Sequence, residues 1–222
     1  MNRVINVMTI LVVILAVFAL VVIVAGCDNP TSSGDNETET PDNGDEVNGD
    51  EVIVYEIGDV GPAGGWIFYV DENDDFEWTY LEAAPADTVD GEIVRFEWSD
   101  VQNVAVGTTS TEIGTGLANT QAIVSQTGHE ESAAQRCLDY EVNGYNDWFL
   151  PSRDELDELS EIELSIPELE LYNGQYWSSS ELYESESEAE YVHFGPPVIG
   201  VEPDPAINEK YQEKRVRAVR AF

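Results

Sequence analysis

Alternating acidic and amide residues at 71–75 have the chemistry that binds calcium. Asp71, Asn73 and Asp75 lie two positions apart, and Glu82 stands where the last ligand of a twelve-residue calcium loop would lie. Phe76, however, occupies the position at which such a loop needs glycine, and β-forming residues flank the segment. We therefore predict an exposed acidic hairpin tip. A weak calcium site of another geometry at Asp71, Asn73 and Asp75 stays open.

A second set of polar residues has the groups that hold a small polar ligand. Ser178, Ser179 and Glu181 follow Trp177 in a β-forming run, and Asp147 precedes another tryptophan. An aromatic face with hydroxyl and carboxylate groups around it suits a sugar, and these five residues are candidate ligand-binding residues. Strand hydroxyls also bond to neighbouring backbone, and tryptophans of small domains usually lie in the core. A structural role is therefore the competing interpretation.

Other patterns give little support to catalysis. His129 and His193 are the only histidines, and neither has a partner at metal-ligand spacing. The glycines of Gly114-Thr115-Gly116 lack the lysine that follows a phosphate-binding loop. The sequence thus predicts no catalytic residue and no cofactor, with calcium as the open exception.

The charge excludes one class of partner. The chain carries 45 acidic and 9 basic residues and a net charge of −36. Such a field repels nucleic acid and anionic lipid, so no nucleic-acid partner is expected. A basic cluster lies near the C-terminus, and we predict that it pairs with carboxylates instead of forming an anion site: Lys210, Lys214, Arg215, Arg217 and Arg220.

Cys27 follows an apolar leader. Arg3 precedes an uncharged apolar run from Ile10 to Ala25, which is the layout of a secretory signal. The run ends in small residues before Cys27 and resembles the lipobox of bacterial lipoproteins. The resemblance implies cleavage between Gly26 and Cys27, and acylation of Cys27 that anchors the chain in membrane lipid. An uncleaved membrane helix is the alternative.

The leader divides the chain into three parts. Residues 1–26 are predicted to be a lipoprotein signal peptide, and 27–52 an acidic, disordered linker. Residues 53–222 are predicted to form one domain outside the cytoplasm, in the bacterial cell envelope. With Cys27 acylated, Cys137 has no partner for an internal disulfide and is expected to be buried.

The domain is expected to have strands at both ends and helices between them. Strands are predicted at Val52–Tyr55, Trp66–Val70, Trp78–Glu82, Phe96–Trp98, Tyr176–Ser180, Ala189–Phe194 and Arg215–Phe222. Helices are predicted at Thr115–Gln126, at Glu131–Val142 and from Ser152, where Ser152 and Glu155 form a capping box. This order predicts an α+β fold with antiparallel pairing, in which the first and last strands meet.

Helical periodicity predicts the buried faces. Four apolar residues are expected to face the core from the first helix: Leu117, Ala118, Ile123 and Val124. Leu156, Leu159 and Ile162 are expected to do so from the third helix.

Several motifs resemble one family of bacterial envelope domains. They are Gly61–Val70 with Tyr80–Ala86, Gly114–Thr120, Asn143–Ser152 with Glu155-Leu156, Tyr176–Glu181 and Val216–Phe222. Together they are similar to the DUF1566 family, also called the Lcl C-terminal domain after a collagen-like adhesin. The resemblance implies a fold distantly similar to formylglycine-generating enzymes and C-type lectins, and a place on envelope lipoproteins.

The resemblance implies a binding module more than an enzyme. Oxidase chemistry of the formylglycine type needs two cysteines, and Cys137 is the only one in the domain. The adhesin binds sulfated glycosaminoglycans, which the acidity of this chain disfavours. We expect a non-catalytic surface or periplasmic lipoprotein that binds a glycan or an envelope or host partner. The alternatives are a structural envelope lipoprotein without a specific ligand, and a hydrolase.

Overall fold

β-forming runs from the two ends of the domain pair in one antiparallel sheet. The computed structural model describes residues 53–89, 92–171, 173–195 and 206–222. β1 (Trp66–Val70) pairs with β2 (Tyr80–Ala83), as predicted from sequence. The C-terminal strand, β10 (Val219–Ala221), pairs with the edge of β2 that is opposite β1. The strands that lie between β2 and β10 in sequence belong to other sheets.

A second antiparallel sheet is built from the later part of the chain. Its strands are β6 (Gln175–Glu181), β7 (Glu188–His193) and β8 (Ile207–Glu209), in that order. Two short ladders complete the pairing: β3 (Thr88–Val89) with β4 (Glu92–Ile93), and β5 (Phe96–Glu97) with β9 (Glu213–Lys214).

The helices lie between the strands in sequence. They are α1 (Gly116–Val124), α2 (Ala133–Leu138) and α3 (Arg153–Ile162), followed by a 3₁₀ turn at Pro167–Leu169. The predicted capping box is present, because the Ser152 hydroxyl accepts the Glu155 N–H and the Glu155 carboxylate accepts the Ser152 N–H.

These elements confirm the predicted α+β class with antiparallel sheets. The described residues belong to one compact unit, Glu51–Phe222. Within the described ranges, no helix is both long and apolar enough to cross a membrane. The predicted signal peptide, Cys27 and the linker lie outside the described residues.

Tryptophans fill one of two apolar clusters in the core. Trp98, Trp148 and Trp177 are fully buried in it, and each indole N–H donates to a backbone carbonyl. Leu156 and Leu159 are buried in the second cluster, as the helical pattern predicts. The buried indoles thus contribute apolar area without leaving their polar atoms unpaired.

The prediction of a strand at Val52–Tyr55 is wrong for Ile53–Tyr55, the part that the structure describes. Ile53–Tyr55 forms no strand, and Ile53 and Val54 are 66% and 71% exposed. The last strand pairs with β2 instead, and the Thr79 and Tyr80 N–H groups both donate to the Phe222 carbonyl at 3.0 Å. Because β2 lies between β1 and β10, its backbone has no free side for another strand.

The predicted buried face of α1 is also wrong in part. Leu117 and Ala118 are exposed, whereas Asn119 and Thr120 are buried with Ile123. Burial of these polar residues is tolerated because their side chains are hydrogen-bonded. Asn119 bonds to Ser110, and the Thr120 hydroxyl donates to backbone carbonyls and accepts the Leu150 N–H.

Buried glutamates fix two of the loops that resembled family motifs. Glu82 is fully buried, and its Oε1 accepts the N–H groups of Ala63 and Gly65 at 3.1 and 2.7 Å. Gly65 has no room for a side chain, since a Cβ there would lie 2.0 Å from the Ala83 carbonyl oxygen. The carboxylate therefore holds the 61–65 turn against the sheet.

Glu155 performs the same task for the loop before α1. Its Oε1 accepts the N–H groups of Gly114 and Gly116 at 2.9 and 3.3 Å, while Oε2 caps α3 through Ser152 at 2.8 Å. A Cβ at Gly116 would lie 2.2 Å from the same carboxylate. Burial raises the pKa of Glu155 to about 7, even though these hydrogen bonds lower it.

The Glu155→Gln variant tests this arrangement through its pH dependence. The pKa of Glu155 is about 7 in the folded chain and 4.5 as its ordinary value. Between these two pH values the folded state therefore binds more protons than the unfolded state does. Wild-type stability from this group is therefore lost as pH rises towards about 7. The variant should be about 1 kcal/mol less stable near pH 5, because a backbone N–H loses its acceptor. Its deficit should shrink at higher pH.

Urea unfolding at several pH values measures this difference. The control is Glu161→Gln, which changes an exposed carboxylate of the same helix and should stay parallel to wild type. A deficit of Glu155→Gln that does not change with pH would contradict the account of Glu155.

Candidate functional site

A cleft with both polar and apolar lining lies beside the turn that joins β6 to β7. We call it the β6–β7 cleft. Its volume is about 490 Å³, and its walls are the 105–111 segment on one side and the 181–185 turn with Glu190 on the other. Hydroxyl, carboxylate and aromatic groups line it: Thr109, Ser110, Thr111, Ser185, Glu181, Glu184, Glu190 and Tyr183.

Glu181 holds the backbone of one wall of the cleft in place through hydrogen bonds. Its two carboxylate oxygens accept the N–H groups of Val106 and Gly107, each at 2.9 Å, and its own N–H donates to the Thr109 hydroxyl at 3.0 Å. This is a third loop held by a buried glutamate. The carboxylate is 5% exposed and forms an ion pair with Lys210. The 105–109 backbone is therefore held in place before any ligand arrives.

Ser110 continues the same wall and is held from three directions. Its N–H donates to Asn119 Oδ1 at 2.9 Å, and its carbonyl accepts Asn119 Nδ2 at 2.7 Å and the Ser180 hydroxyl at 2.9 Å. The Thr111 carbonyl accepts the Asp154 N–H at 2.9 Å. Groups held this firmly lose little entropy when they bind a ligand.

Lys210 neutralises Glu181 but does not offer a charge to the cleft. Its ammonium is 1% exposed and also donates to the carbonyls of Val104 and Glu186, at 3.1 and 2.9 Å. With Glu181 these contacts use all three of its protons. The ammonium lies 4.9 Å from the Trp98 ring centroid. Lys210 therefore stabilises the fold and does not contact a ligand. The sequence had shown only that it belongs to a basic cluster, without identifying Glu181 as its partner.

Of the predicted ligand-binding residues, Glu181 lines the cleft and its neighbours on β6 do not. Trp177, Ser178 and Ser179 are fully buried. The Ser178 hydroxyl donates to the Glu190 carbonyl at 2.8 Å, and the Ser179 hydroxyl accepts Asn119 Nδ2 at 3.2 Å. These hydroxyls connect β6 to its surroundings. Their predicted contact with a ligand stays a prediction.

Asp147 lies in a different ion-pair group. It binds Arg220 through two hydrogen bonds of 2.8 Å, and Arg220 also reaches Glu82 at 3.2 Å. The hydrogen bonds from Arg220 lower the pKa of Asp147. Asp147 is absent from the residues that line the β6–β7 cleft, so the structure does not bring it together with Glu181.

In the predicted calcium site, Asp71 stabilises a local turn. Asp71 is buried, and its carboxylate accepts the N–H groups of Asn73 and Phe76, at 3.3 and 2.9 Å. Asn73 and Asp75 are exposed, whereas Glu82 faces the 61–65 turn. Among the described residues, no group of three or more His, Cys, Asp or Glu is placed to hold a metal ion. Calcium binding stays a prediction.

The basic cluster near the C-terminus is mostly paired, as predicted. Arg220 binds two carboxylates, and Arg217 lies 3.6 Å from Asp87. Lys214 differs, because it contacts Gln175 Oε1 at 3.2 Å and lies 3.9 Å from the Tyr191 ring centroid. Burial lowers the pKa of Lys214 to about 8. Sequence could not show that this cation packs against aromatic rings.

A second cleft of about 470 Å³ lies beside β5 and α2. Ser132 lines it and accepts a hydrogen bond from the Gln135 N–H as the cap of α2. His129 Nε2 lies 2.8 Å from the Ser132 hydroxyl, a pair that the sequence analysis missed although the two residues are three apart. In the described part of the chain, no carboxylate is bonded to the other nitrogen of His129. The pair therefore lacks the third group of a catalytic triad.

Cys137 is buried and forms no disulfide within the described residues, as predicted from sequence. Burial raises the pKa of its thiol, so it is a poor nucleophile.

Comparison with known proteins adds no relative. No protein-family model matches the chain, and no curated protein matches its sequence. We therefore infer a function from the chemistry of the clefts.

Replacing Glu181 tests how the cleft wall is held. In Glu181→Ala, the amides of Val106 and Gly107 lose their acceptor, and their hydrogen exchange should speed up by about tenfold or more. The unfolding free energy should fall by about 3 kcal/mol, because Lys210 keeps a buried charge without its partner. The double variant Glu181→Ala/Lys210→Met removes that charge and should recover part of the stability, with exchange still fast.

Hydrogen exchange followed by mass spectrometry or NMR reads both effects. The matched control is Glu184→Ala, since Glu184 is an exposed glutamate of the same turn and accepts no bond from the 105–111 segment. Unchanged exchange at Val106 and Gly107 in Glu181→Ala would contradict the role given to Glu181.

Proposed function

We propose that this chain is a non-catalytic, glycan-binding module of the bacterial cell envelope, and that the β6–β7 cleft is its binding site. Sugars present hydroxyls on their edges and weakly apolar C–H faces, so their sites combine polar groups with an aromatic ring. Support comes from a cleft in which hydroxyls and carboxylates line fixed walls and one aromatic side chain stands at the rim.

The observation that carries the proposal is the exposure of Tyr183. The residue is 85% exposed, the highest value among the large exposed apolar or aromatic residues of the described chain. A tyrosine in that position has an apolar face with no partner and a hydroxyl that can bond to a sugar. It lies next to Glu184, in the turn that forms one wall of the cleft.

The segment that precedes the described residues supports a membrane location for the module. The apolar leader with Gly26 and Cys27 supports secretion and acylation of Cys27, and the acidic 27–52 segment supplies a spacer. Membrane lipid is then the partner of Cys27, and a glycan or an envelope or host surface is the partner of the domain.

The resemblance to DUF1566 and to C-type-lectin-like folds is consistent with this proposal. Its glycine motifs at 61–65 and 114–116 are the loops that Glu82 and Glu155 hold. The same motifs thus have a structural explanation that is independent of any family. We propose membership of this family on the strength of these motifs.

The alternatives have weaker support. A hydrolase would need an activated nucleophile, and the hydroxyls of Ser178, Ser179 and Ser180 are all engaged within the fold. Ser132 has a histidine partner but also caps a helix. A structural lipoprotein without a ligand would leave the exposure of Tyr183 without a role.

Substitution of Tyr183 tests the binding site. Tyr183→Ala should weaken binding of the best oligosaccharide on a glycan array by about tenfold, because stacking on the ring is lost. Its midpoint of thermal unfolding should match that of wild type, since the side chain is exposed. The full chain in neutral detergent is measured by calorimetry or surface plasmon resonance.

Tyr211→Ala is the matched control. Tyr211 is 47% exposed and does not line the β6–β7 cleft, so its loss should leave affinity unchanged. Absence of binding to every glycan by the wild-type chain would contradict the proposal, as would equal loss of affinity in both variants.

Replacing Cys27 tests the anchor. Mass spectrometry of the native protein should find an acylated Cys27 at the amino terminus. Cys27→Ser should release the protein from the membrane fraction or leave it with its leader uncleaved, because serine lacks the thiol that accepts the lipid. Cys137→Ser is the control and should remain membrane-bound. An intact leader on the native protein would contradict this part of the proposal.

A further inference from the structure

The β6–β7 cleft carries negative charge that its own fold does not neutralise. Three glutamates line it, and no lysine or arginine does. Glu181 is neutralised by Lys210, and Glu190 lies 3.7 Å from Arg153. Glu184 is exposed at the rim, beside Tyr183, and makes no ion pair within the described residues. A ligand in the cleft therefore meets one unneutralised carboxylate at the rim.

Cations are scarce on this protein, so the charge of the cleft is not offset from nearby. The chain has 9 lysines and arginines against 45 acidic residues. Lys210, Arg217 and Arg220 are 1%, 1% and 4% exposed and hence face inwards. The potential at the cleft is thus negative both from its own lining and from the surrounding surface.

We propose that the β6–β7 cleft selects oligosaccharides that carry free amino groups, such as polymers of glucosamine, over N-acetylated and sulfated ones. Tyr183 provides the face for a sugar ring, the hydroxyls of Thr109 and Thr111 provide polar edges, and Glu184 accepts the ammonium. An N-acetyl group removes that positive charge, and a sulfate group is repelled. This selectivity rests on the proposed glycan-binding function and defines its ligand class.

Three probes of equal length separate these ligands. They are a β-linked glucosamine oligosaccharide, its fully N-acetylated counterpart and a sulfated oligosaccharide, each titrated calorimetrically into the full chain in neutral detergent. The glucosamine probe should bind at least about fivefold more tightly than the N-acetylated one, which is the value of one exposed charge pair, and the sulfated probe most weakly. Raising the salt to about 0.5 M should reduce the difference.

Two variants of equal net charge distinguish the cleft from the acidic surface as a whole. Glu184→Gln should remove most of the preference for the glucosamine probe over the N-acetylated probe, whereas Glu168→Gln, which changes an exposed glutamate outside the cleft, should leave the preference intact. Thermal unfolding of both variants should match wild type, because both side chains are exposed.

The outcomes separate this inference from the function on which it rests. Equal binding of the glucosamine and N-acetylated probes overturns the selectivity and leaves glycan binding in place. A preference that Glu168→Gln reduces as much as Glu184→Gln also overturns it, because the effect then comes from net charge. Failure of all probes, and of a wider glycan array, overturns the proposed function together with the selectivity.

Discussion

Buried carboxylates that accept backbone N–H groups hold this fold in place. Glu82, Glu155 and Glu181 each lie inside the domain and each hold a loop that comes from a distant part of the chain. Burying a carboxylate is costly unless hydrogen bonds replace its water, and the loop amides supply those bonds. The loops in turn need the carboxylates, because their amides have no strand or helix to pair with. Removing one partner therefore leaves the other unsatisfied.

The same constraint explains the distribution of charge. Two of the three glutamates are paired with a cation, Glu82 with Arg220 and Glu181 with Lys210, while Glu155 is held by backbone N–H groups and by Ser152. Five of the eight lysines and arginines in the described ranges are buried, so the exterior carries mainly carboxylates. A strongly acidic exterior disfavours anionic partners. The β6–β7 cleft combines both effects, since a buried ion pair holds its wall and an exposed glutamate sits at its rim.

Sequence predicted what local patterns determine. The capping box at Ser152 and Glu155, the hairpin of β1 and β2 and the buried Leu156 and Leu159 all follow from spacing. Contacts between distant segments could not be predicted, because nothing local marks which loop a glutamate will hold. Glu181 was identified as a candidate, but its bonds to Val106 and Gly107 span more than 70 positions. Tyr183 was missed, because an exposed aromatic residue has the same sequence signal as a buried one.

NMR chemical shifts of the full chain during titration with an oligosaccharide test the central claim most directly. If the β6–β7 cleft is the binding site, the backbone amides that shift should lie at 105–111 and 182–185, with the rest of the domain unchanged. Saturable shifts confined to the second cleft, around Arg95, Ser132 and Arg136, would place the binding site elsewhere and contradict the account.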